Sequence, residues 1–131
     1  MLCVHDVLAK KKRKIIYVNG DFLVSDLIEN TNISSGAALI IDGDRLTGLF
    51  SEDDLLRNTY LKEVYDKDTK VSQVMSTDFS TVTSKESIDV CMDRMSFEKV
   101  RYLPVVDDGR IMGVISICDI ISAMIHEEIE L

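Results

Sequence analysis

The chain repeats itself, and no other feature of it limits the possible folds so sharply. Residues 40–56, IIDGDRLTGLFSEDDLL, lie over residues 105–121, VVDDGRIMGVISICDII, at a constant offset of 65. Asp42/Asp107, Arg45/Arg110, Gly48/Gly113, Ser51/Ser116 and Asp54/Asp119 are identical pairs, and the apolar positions between them match in kind. Upstream, residues 18–31 lie over 82–95 at offset 64, pairing Val24 with Ile88, Leu27 with Cys91 and Ile28 with Met92. The opening stretches 4–8 and 71–75 correspond at offset 67. The first copy is therefore one residue short between Thr31 and Gly36 and carries extra residues in its basic stretch. Self-similarity on this scale means one structural unit built twice, and 131 residues hold one compact domain or two small repeats sharing a core.

Each copy spells the same elements. Residues 15–18 (IIYV) and 79–82 (FSTV) predict short strands, each ended by polar turn residues. Leu23, Leu27 and Ile28, and Ile88, Cys91, Met92 and Met95, fall at helical spacing, with Asp21 and Ser84 or Ser87 as caps. A hairpin follows: residues 38–41 and 103–106 are apolar runs suited to covered strands. The turns 42–44 and 107–109 reverse the chain into 46–50 and 111–115. Ser51 and Ser116 then start helices with Asp54 and Asp119 three residues on, as in a capping box. Pro104, the one proline, falls at a strand start, where a missing N–H is tolerated. Strand, helix, strand, strand, helix, twice over, defines an α+β class. Along the chain it divides into a first repeat at 1–60, a linker at 61–70, and a second repeat with its C-terminal helix at 71–131.

Composition excludes several functions. With 46% apolar residues a packed core is expected, and a net charge of −8 argues against nucleic acid or an anionic membrane as partner. Cys3, Cys91 and Cys118 sit among aliphatic residues without C-x-x-C spacing, which suits a reduced, cytoplasmic compartment. The start lacks a signal-peptide stretch, no run reaches membrane-spanning length, and the initial Met with matched ends points to a complete small protein. An enzyme is not expected. His5 and His126 lie near opposite ends of the chain, outside any nucleophile–base or metal spacing, and there is neither a Walker loop nor G-x-G-x-x-G.

The motif G-h-h-S-x-x-D (h apolar) occurs at residues 48–54 and 113–119, and Arg101-Tyr102-Leu103-Pro104-Val105-Val106-Asp107 precedes the second. Two copies in register, each behind a matching helix and hairpin, resemble the CBS domain family, named after cystathionine β-synthase, over residues 4–125. The resemblance implies two βαββα CBS repeats related by a pseudo-two-fold axis, forming one compact module. It implies a regulatory module that binds adenosine-containing ligands (AMP, ADP, ATP, NAD or S-adenosylmethionine) in the inter-repeat clefts and modulates a partner protein. The alternative is a ligand-free homodimeric interaction or scaffold protein. An adenine nucleotide is thus expected as a regulatory ligand and no catalytic cofactor.

Carried over residue by residue, Asp54 and Asp119 would accept the ribose hydroxyls. Ser51 and Ser116, with Arg101 and Lys14, would hold phosphate. One site would join Ser51 and Asp54 to Thr81, Arg101, Tyr102 and Leu103. The other would join Ser116 and Asp119 to Ile16, Tyr17, Gly36 and Ala37. The run Lys10–Lys14 reads either as a solvated loop or as the source of a phosphate-binding Lys12 or Lys14. The copies differ where a ligand would touch: Tyr17 stands against Thr81, and Asp53 against Cys118. Two inequivalent sites are expected, one binding better than the other.

Overall fold

A computed structural model describes residues 2–10, 15–30, 36–57 and 67–130, leaving aside the side chains of 30 and 127–130. In chain order the elements are α1 (Val4–Ala9), β1 (Ile16–Val18), α2 (Val24–Asn30), β2 (Ala37–Asp42), β3 (Arg45–Ser51), α3 (Glu52–Leu56), a 3₁₀ turn (Val71–Gln73), α4 (Ile88–Glu98), β4 (Tyr102–Asp107), β5 (Arg110–Ser116) and α5 (Ile117–Glu130). They form two compact units, one of residues 15–79 and one of residues 1–14 with 80–131.

In the first unit β1 runs parallel to β2, and β2 pairs antiparallel with β3. In the second, β4 pairs antiparallel with β5. The hairpin turns show why their residues were chosen: Gly43 has φ 63°, and both Asp108 (49°) and Gly109 (80°) are left-handed, as two-residue hairpins require. Both hairpins break register at the same place in the repeat, Ile40/Ile41 and Val105/Val106. The strand expected at 79–82 shrinks to a one-residue parallel bridge from Val82 to Val105. Its backbone and side chains are engaged elsewhere: Arg94 donates to the Thr81 carbonyl at 3.0 Å and the Ser80 hydroxyl donates to Glu98 at 2.8 Å. Ser87 caps α4, accepting the Val90 N–H at 3.2 Å.

Each core is closed by the opening stretch of the other repeat. Val24, Leu27, Ala38, Ile40 and Phe50 pack with Val71 and Val74. Ile88, Cys91, Met95, Leu103, Val105, Ile115 and Ile120 pack with Val4 and Val7. The backbone repeats the exchange bond for bond. Val71 and Ser72 donate to the carbonyls of Phe22 and Gly20 at 2.8 and 3.1 Å, while Val4 and His5 donate to those of Glu86 and Ser84, both at 2.8 Å. Val24 donates to Thr69 at 2.9 Å as Ile88 does to Leu2 at 3.3 Å. The division at 61–70 thus follows the repeat in the chain, whereas compact packing regroups residues 1–14 and 67–79. The linker itself lies mostly outside the described residues.

Candidate functional site

The two hairpins deliver the Ser and Asp pairs repeated in register to the same local geometry. Ser51 ends β3 in extended backbone and starts α3. Its N–H donates to Asp54 Oδ2 at 3.0 Å and its hydroxyl approaches the same oxygen at 3.4 Å. The other oxygen, Oδ1, accepts the Ser76 hydroxyl and lies 3.6 Å from the Arg57 guanidinium. Asp54 is only 3% exposed, so this carboxylate is enclosed by donors. The first turn of α3 carries Glu52 and Asp53 beside it.

Asp119 is placed alike but sits differently. The Ser116 N–H donates to its Oδ2 at 3.0 Å, and the Asp119 N–H returns a bond to the Ser116 hydroxyl at 3.0 Å, completing the reciprocal box anticipated from S-x-x-D. Asp119 is half-buried rather than enclosed, and it is the one acidic residue in the first turn of α5. In both copies the serine N–H that could serve a phosphate is donated to the aspartate.

The remaining expected residues divide between the units. Ile16, Tyr17, Gly36 and Ala37 stand in the unit of Asp54, where Ala37 is the ladder partner of Ser51. Tyr17 is 65% exposed, while Ala37 is buried. Thr81, Arg101, Tyr102 and Leu103 stand in the unit of Asp119, where Tyr102 is the ladder partner of Ser116 and the Arg101 carbonyl accepts the Ile117 N–H at 2.9 Å. Thr81 and Arg101 are exposed and Tyr102 is half-buried. Leu103 is wholly in the core, so it can offer a ligand only backbone. Lys12 and Lys14 lie outside the described residues.

A second carboxylate pair, in the hairpin turns, makes long-range hydrogen bonds that the turns do not require. Asp42 accepts the Gly20 N–H at 2.9 Å and the Thr47 hydroxyl at 2.7 Å. Asp107 accepts the N–H and hydroxyl of Ser84 at 2.8 and 2.5 Å. The Gly20 N–H, then Thr47, hold the Asp42 carboxyl below its ordinary range; the Ser84 hydroxyl and N–H do the same for Asp107. Gly20 and Ser84 are partners at offset 64, which was the available signal. These carboxylates tie the end of β2 or β4 to the turn after the preceding strand, a structural task. Among the described residues no group of His, Cys, Asp and Glu could hold a metal, and no helix is long and apolar enough to cross a membrane.

With this geometry in place, the comparisons define the class. The CBS domain model matches residues 71–126. A solved protein with CBS domains from Burkholderia ambifaria is 33% identical, superposes with a TM-score of 0.87, and is covered over 95% of each chain. The chain belongs to the CBS-domain family, and its α+β fold is that of the family's tandem pairs. A mitochondrial CBS domain-containing protein of Arabidopsis thaliana is 26% identical over 97% of this chain. The chain spans 66% of that relative's length, and 24% and 37% of two further curated relatives. A CBS domain protein from Pyrobaculum aerophilum, solved in complex with AMP, shares the fold at 21% identity and a TM-score of 0.72, with 90% of this chain and 89% of that one covered.

Proposed function

We propose that this chain is a non-catalytic sensor that binds an adenosine-containing ligand through its in-register aspartates and thereby modulates a partner protein in the cytoplasm. The observation that carries this reading is the pair of carboxylates, Asp54 and Asp119, each oriented by the N–H of a serine three residues before it. A carboxylate fixed in this way is a ready acceptor for the two hydroxyls of a ribose. The AMP-bound relative of the same fold supports the ligand class. Arg101, exposed beside the strand that faces Ser116, is the described cation best suited to a phosphate. Equilibrium dialysis against AMP, ADP, ATP, NAD and S-adenosylmethionine tests the reading. At least one ligand is expected to bind, with affinity reduced tenfold or more in Asp119→Ala or Asp54→Ala. Failure of all five, or binding indifferent to both substitutions, refutes it.

A second reading, a ligand-free homodimeric scaffold, is favoured by the exposed apolar residues Ile121, Met124 and Ile125 on α5, which share a face at helical spacing. Sedimentation velocity of wild type and Ile121→Glu separates the two. A dimer lost in the variant, together with no ligand binding, supports the scaffold.

A further inference from the structure

The sequence holds one Asn-Gly pair, Asn19-Gly20, in the turn that follows β1. Packing favours glycine there. Gly20 is buried, and a Cβ on it would lie 3.1 Å from Ser72 Cβ and 3.2 Å from Asp42 Oδ2. Its N–H donates to Asp42 Oδ1 at 2.9 Å, and its carbonyl accepts the Ser72 N–H at 3.1 Å. Asn19 is exposed, and its Oδ1 accepts the Asp21 N–H at 2.9 Å. The matching turn of the second unit keeps the tie without the pair. Thr83-Ser84 stand there at offset 64, and the Ser84 N–H donates to Asp107 Oδ1 at 2.8 Å.

An asparagine followed by glycine is especially open to loss of its side-chain amide, because no Cβ shields the next nitrogen. The Gly20 nitrogen gives its proton to a base and attacks Asn19 Cγ. The bond from Cγ to the side-chain nitrogen breaks, and that nitrogen leaves as ammonia, closing a succinimide ring. Water then opens the ring at either carbonyl, giving aspartate or isoaspartate. Here the proton of the attacking nitrogen is held by Asp42, whose charge also opposes an amide anion beside it. We propose that Asn19-Gly20 is a spontaneous modification site, guarded by Asp42, through which the first unit is loosened. Isoaspartate adds a carbon to the main chain between the two residues, so Gly20 cannot keep Asp42 and Ser72 as partners together. Ser72 lies in the stretch whose Val71 and Val74 complete the core of Val24, Leu27 and Phe50. The inference stands apart from the ligand reading above.

Peptide mapping by mass spectrometry, with isoaspartyl methyltransferase labelling, tests it at pH 8 on wild type, Asp42→Ala, Asp107→Ala and Asn19→Gln. Each is first checked for a cooperative unfolding transition. Residue 19 of folded wild type is expected to convert at least tenfold more slowly than in urea. Asp42→Ala should convert roughly ten- to a hundredfold faster than wild type, the factor that losing a hydrogen bond to a charged group implies. Asp107→Ala, which cuts the like tie in the other unit, should match wild type; this separates the guard from a general loss of stability. Asn19→Gln should stay unlabelled at that position. The isoaspartate form, separated by ion exchange, should unfold at a lower urea concentration than the unmodified chain. Amide hydrogen exchange reads the guard without a substitution, and the Gly20 amide of wild type should be protected. Four results overturn the proposal: a folded rate equal to that in urea, an unprotected Gly20 amide, Asp42→Ala no faster than Asp107→Ala, or an isoaspartate form as stable as the unmodified chain.

Discussion

Truncating the apolar residues of α1 should damage the unit built on the second repeat, although α1 opens the first. Val4 is fully buried and Val7 is 6% exposed, and both pack against Ile88, Cys91, Leu103 and Ile115 rather than against α2. Each Val→Ala removes two buried carbons, about 1.6 kcal/mol of transfer free energy, to which a cavity adds roughly 1 kcal/mol. The better helix propensity of alanine returns about 0.5 kcal/mol. Each substitution should therefore cost about 2 kcal/mol, and the pair about 3–4 kcal/mol, since neighbours sharing a cavity do not add fully. At an m-value of about 2 kcal/mol/M, the urea midpoint of Val4→Ala/Val7→Ala falls by roughly 1.5–2 M. Exposed Lys10→Ala serves as the control, within about 0.5 kcal/mol of wild type. Amide hydrogen exchange locates the damage: Cys91 and Met95 in α4 should lose protection, while Leu27 in α2 keeps it. A loss under about 0.5 kcal/mol for the pair, or weakening confined to α2, refutes the exchange of opening stretches.

Three further outcomes follow from particular contacts. Asp42 and Asp107 have folded-state pKa values depressed by their hydrogen bonds, so their stabilisation is present above the unfolded carboxyl value of about 3.9 and is lost as pH falls from there through the lower folded values. The urea midpoint should drop from pH 5 to pH 3, with a shallower drop in Asp107→Asn; an unchanged slope counts against the tie to Ser84. Gly48→Ala should cost about 1–3 kcal/mol, because its Cβ would lie 2.1 Å from Met75 Sδ. Most of that cost should vanish in a Met75→Ala background, as a double-mutant cycle in urea will show or deny. Burial pushes the Cys91 thiol up to about 11, whereas Cys118 is exposed. At pH 8 a thiol reagent should label Cys118 promptly and Cys91 only on unfolding, and prompt labelling of Cys91 contradicts the packing of α4.

Much of the fold was legible because its signals are local and doubled. The hairpins are announced by Gly43 and by Asp108-Gly109, which the turns need for their left-handed backbone. The helices follow from apolar residues at helical spacing, and Ser116 with Asp119 forms the box that their spacing implies. The strand at 79–82 misled because a β-like run of four residues carries no record of what its polar atoms will find. Arg94 and Glu98, more than a dozen residues on, take up Thr81 and Ser80. Asp42 and Asp107 were visible as an identical pair, but a turn needs aspartate as readily as a long-range tie does, and only the contact distinguishes the two uses.

What no single repeat could reveal is that the opening stretches trade places, so that each core is completed by residues belonging in the chain to the other copy. The exchange brings the hydroxyl of Ser76, a residue of the second opening stretch, to Asp54 through the bridge with Leu49. Inequivalence was already expected from Tyr17 against Thr81 and Asp53 against Cys118, residues within the motifs themselves. The contact with Ser76 comes from outside the motif, at the seam where one repeat completes the other's core. A repeat protein whose units close on each other's opening stretches can thus tune one site by a substitution in the other copy.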